Sequence, residues 1–114
     1  MSANNGFIAF DKWVRLLSTL LEKPNNRIEL KVIGESMAPT LLPGVTVTVK
    51  KCIHPAKVGD IIVYKKWDSN LTIHRIVRVD NNNGNYQYTT KGDGNYYIDD
   101  YTLLMNEVIG VVCL

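Results

Sequence analysis

Apolar residues in the first part of the chain recur every three or four positions, which is the period of an amphipathic helix. One side of this helix carries Phe7, Phe10, Trp13, Leu17, Leu20 and Leu21, and the other side is largely polar. Pro24 and the two asparagines after it end the pattern. We therefore predict a helix over residues 7–22, within an N-terminal segment of residues 1–26. Its apolar side either packs on its own domain or docks onto a membrane, a substrate or a partner helix.

From Ile28 onward the pattern changes to short segments rich in Val, Ile, Thr and Tyr, several of which alternate between apolar and polar residues. These segments are IELKVIG, VTVTVKK, GDIIVYKK, LTIHRIVRVD, YQYTTKGD and NEVIGVVCL. Turn residues separate them, and Asn83-Gly84 is typical of a type I′ hairpin. Residues 27–114 are therefore predicted to form one β-rich domain of six or seven strands, in a coiled antiparallel architecture.

Size, charge and cysteine count narrow the class of protein. The 114 residues suffice for one domain with its own core. A net charge of +2, without a basic run or face, makes nucleic acid an unexpected partner. Cys52 and Cys113 are too few for a disulfide framework and have no partners at metal-site spacing, so we expect neither a metal nor a cofactor.

The N-terminal pattern also bears on location. Asp11, Lys12 and Arg15 interrupt the first segment, so nothing approaches the roughly 18 apolar residues of a spanning helix. A basic start, a continuous apolar stretch and a small-residue cleavage site are all missing, which argues against a signal peptide. We therefore expect a soluble, cytoplasmic protein without a transmembrane segment, at most docked peripherally through the helix.

Three polar segments carry candidate chemistry: VIGESMAPTLLPG at 32–44, TIHRIV at 72–77 and TKGDGNYYIDD at 90–100. Taken singly, each has an ordinary interpretation. A serine such as Ser36 in a turn is usually a turn residue or a cap, and a histidine such as His74 in a strand is usually structural. The acids Asp93, Asp99 and Asp100 fit ordinary turns equally well.

Five short blocks give these segments an order. They are Ser36-Met37-x-Pro39-Thr40-Leu41, Gly59-Asp60-Ile61-Ile62-Val63, His74-Arg75-Ile76-Val77, Lys91-Gly92-Asp93 with Asp99-Asp100 behind it, and Ile109-Gly110-Val111-Val112. In this order and spacing, they resemble the signal-peptidase family of S24/S26-like serine peptidases, in the variety that uses a Ser-His pair. The resemblance covers residues 32–111. It implies the barrel-like signal-peptidase fold, shared with the C-terminal domains of self-cleaving repressors, and cleavage of a peptide substrate.

The resemblance implies a role for each polar residue, and general chemistry agrees with it. Ser36 is the expected nucleophile and His74 its general base, because a serine hydroxyl needs a base to remove its proton. A carboxylate should orient the imidazole and stabilise its charged form. We favour Asp99 for that role and Asp93 as a structural or supporting acid. A one-residue shift of the loop would bring Asp100 in instead.

Lysine-dependent relatives of the same fold, which include bacterial signal peptidases and self-cleaving repressors, are a poorer match. The strand that would carry their lysine has Thr72-Ile73-His74-Arg75. Arg75 cannot deprotonate and so cannot replace a lysine base. Lys65 and Lys66 precede this strand and are expected in solvent.

The residues around the serine set expectations for substrate binding. Gly34 stands where the signal-peptidase pattern usually has a serine that helps the oxyanion hole, so we expect the Ser36 N–H to carry more of that task. The resemblance further implies an extended peptide with small residues before the scissile bond, bound near Gly34, Met37 and Pro39. A leader or other precursor removed in the cytoplasm is the expected substrate. A non-catalytic peptide-binding relative and a self-cleaving regulator of the repressor type are the alternatives.

Overall fold

A computed structural model describes residues 16–66 and 71–114. Residues 16–21 are helical, and the rest of the helix predicted over 7–22 lies largely outside the described residues. Leu17 and Leu21 are buried, and Leu21 belongs to the core, so this last part of the helix packs on its own domain. Leu20, predicted on the same side, is half exposed.

The described residues that follow form seven strands and one short 3-10 helix. In chain order they are β1 (Ile28–Lys31), β2 (Thr46–Lys50), β3 (Ile61–Tyr64), β4 (Thr72–Asn82), β5 (Asn85–Lys91), β6 (Thr102–Leu104), the 3-10 helix Met105–Glu107 and β7 (Val108–Cys113). All of the pairings are antiparallel, in the order β1-β2-β7-β3-β4-β5-β6, and the sheet curls into a half-barrel. The predicted mainly β, coiled antiparallel fold is therefore confirmed.

The hairpin between β4 and β5 has the predicted turn. Asn83 and Gly84 both have positive φ, 56° and 87°, as a type I′ turn requires. Asn82 pairs with Asn85 across the turn, and the Gly84 N–H donates to the Asn81 side chain at 2.8 Å. The hairpin joins the two longest strands, and it fixes the register that places β4 and β5 side by side.

The two faces of the sheet bury different clusters. One cluster contains Leu21, Val32, Met37, Leu41, Val47, Val49, Ile61, Val63 and Val112. The other contains Cys52, Ala56, Ile62, Tyr64, Ile76, Tyr88 and Leu103. Neighbours on β3 therefore serve opposite faces, because successive side chains of a strand alternate. This alternation places Tyr64 under the same face as His74, which is the face that carries the polar site.

The pattern of the sequence did not reveal β6, which has only three residues. Its central residue Leu103 is completely buried opposite Tyr88, while Leu104 is 48% exposed. The strand extends the sheet beyond β5 and brings the segment 92–101 back over the face that carries His74.

The described residues contain no helix with the length and hydrophobicity needed to span a membrane.

We predict that Leu103→Ala lowers the free energy of unfolding by about 2–4 kcal/mol, because it removes a fully buried side chain from the core. Its neighbour provides the control: Leu104→Ala, in the same strand but half exposed, should cost less than about 1 kcal/mol. Urea denaturation followed by far-ultraviolet circular dichroism measures both. Equal losses in the two variants would show that β6 is not packed as described.

Candidate active site

Ser36 lies in the long connection between β1 and β2. Two backbone hydrogen bonds close the base of this connection, from Val32 N–H to the Val45 carbonyl at 2.8 Å and from Gly44 N–H to the Val32 carbonyl at 2.9 Å. The Met37 side chain, 2% exposed, anchors the loop in the core from beneath. Ser36 is therefore presented, half buried, at a fixed point above the sheet.

His74 is the centre of the polar site. It lies on β4 opposite Ile62 of β3, and only 7% of the residue is exposed. Its Nε2 is 3.1 Å from the Ser36 hydroxyl oxygen, and its Nδ1 is 2.7 Å from Asp99 Oδ2. The structure thus brings the predicted nucleophile, base and acid together, although they lie in three separate segments of the sequence.

The hydrogen bond to Asp99 determines which ring nitrogen can act as a base. An ionised carboxylate only accepts hydrogen bonds, so Nδ1 carries the hydrogen that faces Asp99. The lone pair of Nε2 then faces Ser36, whose hydroxyl donates to it. This tautomer is the one in which an imidazole can remove the serine proton.

The three candidate acids separate clearly in space. Asp99 is held beside the ring by its own backbone N–H, which donates to the Thr90 carbonyl of β5 at 2.8 Å. Asp93 instead accepts two hydrogen bonds from Arg75, from Nε at 2.9 Å and from Nη2 at 2.8 Å. Asp100 is exposed. The acid that contacts His74 is therefore Asp99, and Asp93 pairs with Arg75 instead; the roles of the two acids stay predictions.

Asp93 and Arg75 form a brace beneath the turn that follows β5. Arg75 also donates to the Gly59 carbonyl at 2.9 Å, so the guanidinium joins two turns. Hydrogen bonds from Arg75 hold the pKa of Asp93 below its usual value, although partial burial opposes this shift. The Asp93 N–H points to Met37 Sδ at 3.3 Å, which links the brace to the loop of the serine.

Two glycines allow this turn to lie directly on the serine loop. The Gly94 N–H donates to the Ser36 carbonyl at 2.8 Å. A Cβ on Gly92 would lie 2.5 Å from that same carbonyl oxygen, which is closer than a side chain tolerates, and it would also be tightly placed at 3.1 Å from His74 Nε2. There is therefore no room for a side chain at position 92, and this close packing explains the glycine in the Lys91-Gly92-Asp93 block.

The residues expected at the substrate side of the serine differ in accessibility. Gly34 is exposed and has φ +81°, with nothing within 4 Å of an added Cβ. Left-handed backbone of this kind costs a residue with a side chain about 1–2 kcal/mol. The backbone conformation therefore favours glycine at position 34, independently of the resemblance to repressor-type relatives. Pro39 is exposed, whereas Met37 is buried. A substrate contact through the Met37 side chain stays a prediction.

Lys66 was expected in solvent, but its side chain is largely buried and paired with Glu107. Its Nζ donates to Glu107 at 2.9 Å and to the Thr102 carbonyl at 2.9 Å, which ties the end of β3 to the 3-10 helix. The Lys66 ammonium is thus held away from Ser36. The side-chain nitrogen that contacts Ser36 is His74 Nε2.

Three hydroxyl residues near the site were not identified from the sequence. Thr90 Oγ1 donates to Asp99 Oδ2 at 2.6 Å, and Tyr64 OH donates to the same oxygen at 3.3 Å. Tyr101 OH is 2.6 Å from Tyr64 OH. The available signal was Tyr64 itself, because a tyrosine within an otherwise apolar strand usually needs a polar partner.

Comparison with protein families bears on this arrangement. A family model described as Peptidase S24-like matches residues 3–88, which is three quarters of the chain. The chain belongs to the Peptidase S24-like family. The match includes Ser36 and His74 and ends before Asp93 and Asp99. No curated protein matches the chain.

Membership in this family supports a peptidase or a regulator of the S24 kind, because the family includes serine peptidases. The S24/S26-like resemblance inferred from the five blocks is thereby confirmed at the level of the family. Within residues 16–66 and 71–114, no group of three or more His, Cys, Asp and Glu side chains is arranged to hold a metal ion.

We predict that Asp93→Asn lowers the free energy of unfolding by about 1–2 kcal/mol at neutral pH, because it removes a charged pair with two hydrogen bonds. The lowered pKa of Asp93 means that its contribution is present above the ordinary aspartate pKa of about 3.9 and is lost as the pH falls below it. The difference from the unmodified protein should therefore shrink towards about pH 3.

Chemical denaturation at several pH values tests this, with Asp80→Asn as the control. Asp80 pairs with Arg78, but the two side chains are 43% and 71% exposed, so that pair should contribute little. A loss at Asp93 no larger than that at Asp80, or one independent of pH, would contradict a structural role for the brace.

Proposed function

We propose that the protein is a serine endopeptidase in which Ser36 is the nucleophile, His74 the general base and Asp99 the acid that orients the base. The observation that carries this proposal is the run of contacts from Ser36 Oγ to His74 Nε2 at 3.1 Å and from His74 Nδ1 to Asp99 at 2.7 Å. Family membership supports a peptidase, and the contacts give it a specific chemistry.

The proposed reaction has two stages. As the Ser36 oxygen attacks the scissile carbonyl, Nε2 of His74 takes its proton, and Asp99 stabilises the imidazolium that forms. The imidazolium then gives this proton to the leaving amine, and the peptide bond breaks to leave an acyl-enzyme on Ser36. A water molecule, deprotonated by His74 in the same way, hydrolyses the ester and restores the serine.

The oxyanion of the tetrahedral intermediate needs hydrogen-bond donors. Among the described residues, the Ser36 N–H makes no hydrogen bond, which leaves it available for this task. Gly34 supplies no hydroxyl, unlike the serine usual at that position in signal peptidases. Because the loss of one such donor costs about 10²-fold or more in rate, we expect slow turnover.

The proposed substrate is an extended peptide with small residues before the cleaved bond, such as a leader or signal-like segment of a precursor protein. β1 is the first strand of the sheet, so its outer edge has no partner strand among the described residues. The chain runs from β1 directly into the Ser36 loop, which supports a peptide added as a strand along that edge and reaching the serine.

A self-cleaving regulator is the second candidate. The Gly34-x-Ser36-Met37 sequence is typical of repressor-type relatives, and family membership covers regulators as well as peptidases. In that case the scissile bond lies in the protein itself. The same Ser36 and His74 chemistry would apply, but the product would be a shortened chain.

We predict that Ser36→Ala and His74→Ala each abolish cleavage of a peptide substrate and leave the fold intact. Asp99→Asn should lower kcat by about 10³-fold or more, because the imidazole loses the partner that fixes its tautomer. Asp80→Asn, remote from the serine, serves as the matched control and should keep full activity.

Cleavage should also decline at acid pH, because a protonated imidazole cannot accept the serine proton.

The assay uses a library of extended peptides with small residues at the cleaved position, read by mass spectrometry. Circular dichroism melts confirm that each variant folds. Intact-mass measurement of the protein alone, at mildly alkaline pH, separates the two candidates, because only self-cleavage shortens the chain. Cleavage that persists in folded Ser36→Ala or His74→Ala protein would refute the proposed site.

A further inference from the structure

Behind His74, on the side away from Ser36, a cluster of hydroxyl groups surrounds one oxygen atom. Asp99 Oδ2 lies 2.7 Å from His74 Nδ1, 2.6 Å from Thr90 Oγ1 and 3.3 Å from Tyr64 OH. Each of these groups donates to it, because an ionised carboxylate only accepts. One carboxylate oxygen thus receives three hydrogen bonds, two of them from side chains outside the proposed set of catalytic residues.

Tyr64 occupies the centre of this cluster. Its ring is completely buried on β3, and its hydroxyl contacts Thr90 at 3.2 Å, Tyr101 at 2.6 Å and His74 Nδ1 at 3.4 Å, in addition to Asp99. Because the single hydroxyl hydrogen of Tyr64 is donated to Asp99, the short contact with Tyr101 is made by Tyr101 donating to Tyr64. Burial raises the pKa of Tyr64 well above its ordinary value, so the hydroxyl stays a donor across the pH range of any assay.

The strand register explains why these groups meet. Ile62 of β3 pairs with His74 of β4, and Ile76 of β4 pairs with Thr90 of β5. Residues two apart on a strand share a face, so Tyr64, His74 and Thr90 lie on one face of three neighbouring strands. The cluster is therefore part of the rigid sheet, whereas Asp99 lies in a connecting segment.

We propose that Tyr64 is a positioning residue: its hydroxyl, supported by Tyr101, holds the Asp99 carboxylate in place, directed at His74. This inference rests on the proposed function. A side chain on a connecting segment can rotate, whereas Thr90 and Tyr64 bond the Asp99 carboxylate to two strands of the sheet. Both hydrogen bonds would be lost if the carboxylate turned away from His74. Tyr64 does not touch Ser36 and acts through Asp99.

The loss of the Tyr64 hydroxyl has a defined electrostatic consequence. With one donor fewer, the negative charge of the Asp99 carboxylate is less well stabilised, because a hydrogen bond favours the charged form of its acceptor. That charge also acts more strongly on the imidazolium that forms next to it during the reaction. Both changes reduce activity at the acid end of the pH–activity profile.

Other groups also face the Asp99–His74 pair. They are Thr90 from β5, Tyr101 from the segment before β6 and Ser36 from its loop, while the neighbouring Arg75 is engaged with Asp93.

The test compares two tyrosine-to-phenylalanine variants. Tyr64→Phe should lower kcat by about 10-fold with little change in KM, and should move the acid limb of kcat/KM to higher pH by about 0.5–1 unit. Tyr101→Phe should cause a smaller shift in the same direction and serves if Tyr64→Phe folds poorly. Tyr88→Phe is the matched control: Tyr88 is also fully buried on the same face, but its hydroxyl contacts His54 and Ala56.

A second readout does not depend on turnover. The proton shared by His74 Nδ1 and Asp99 should give a low-field NMR resonance that is absent in His74→Ala, and Tyr64→Phe should shift it while Tyr88→Phe leaves it in place. A profile and a resonance unchanged in both Tyr64→Phe and Tyr101→Phe, or changed equally by Tyr88→Phe, would overturn the inference. If the unmodified protein shows no Ser36-dependent cleavage, the proposed function fails, and the resonance alone decides the positioning role.

Discussion

The contact between two loops, made by backbone atoms, is the constraint on which the rest of the site depends. The turn after β5 lies on the connection between β1 and β2, with the Gly94 N–H bonded to the Ser36 carbonyl. Ser36 belongs to a loop at one edge of the sheet, and His74 belongs to a strand four positions further along the strand order. The turn at residues 92–95 lies against both, because Gly92 has no side chain that would meet the Ser36 carbonyl and the His74 ring.

That turn is itself held from two directions. On one side, Arg75 of β4 donates hydrogen bonds to Asp93 in this turn and to the Gly59 carbonyl in the turn before β3. Both β4 and the turn before β3 therefore support the turn that follows β5. Beyond it, the segment that returns towards β6 brings Asp99 against His74 and Thr90. The two acids therefore divide the task. Asp93 supports the backbone beneath the serine, and Asp99 meets the imidazole.

Periodicity and block order predicted much of this architecture. The alternating segments identified six of the seven strands, and the Asn83-Gly84 pair predicted its turn. Ser36, His74 and Asp99 could be chosen because their blocks occur in the order of a known family. Asp99 could not be separated from Asp100 on that basis, since a one-residue shift in an irregular loop reverses which side chain faces the ring. The backbone bond from Asp99 to Thr90 decides this, and it depends on tertiary contacts.

Other features lay beyond sequence reasoning for physical reasons. β6 is three residues long, too short to show an alternation, and it exists because Leu103 fills a place beside Tyr88. The hydroxyl cluster needs the register of β3, β4 and β5 before Tyr64 and Thr90 can be seen to share a face with His74. Lys66 resembled a solvated residue because Glu107, its partner, lies 41 positions away in the chain.

The central claim is that His74 activates Ser36, and labelling with a fluorophosphonate tests it most directly because no natural substrate is needed. The account predicts that the reagent modifies Ser36 in the folded protein, with the site located by peptide mass mapping. His74→Ala should abolish the labelling, whereas His54→Ala, which alters the other histidine, should leave it unchanged. A folded protein whose Ser36 stays unmodified, or is modified equally well without His74, would contradict the account.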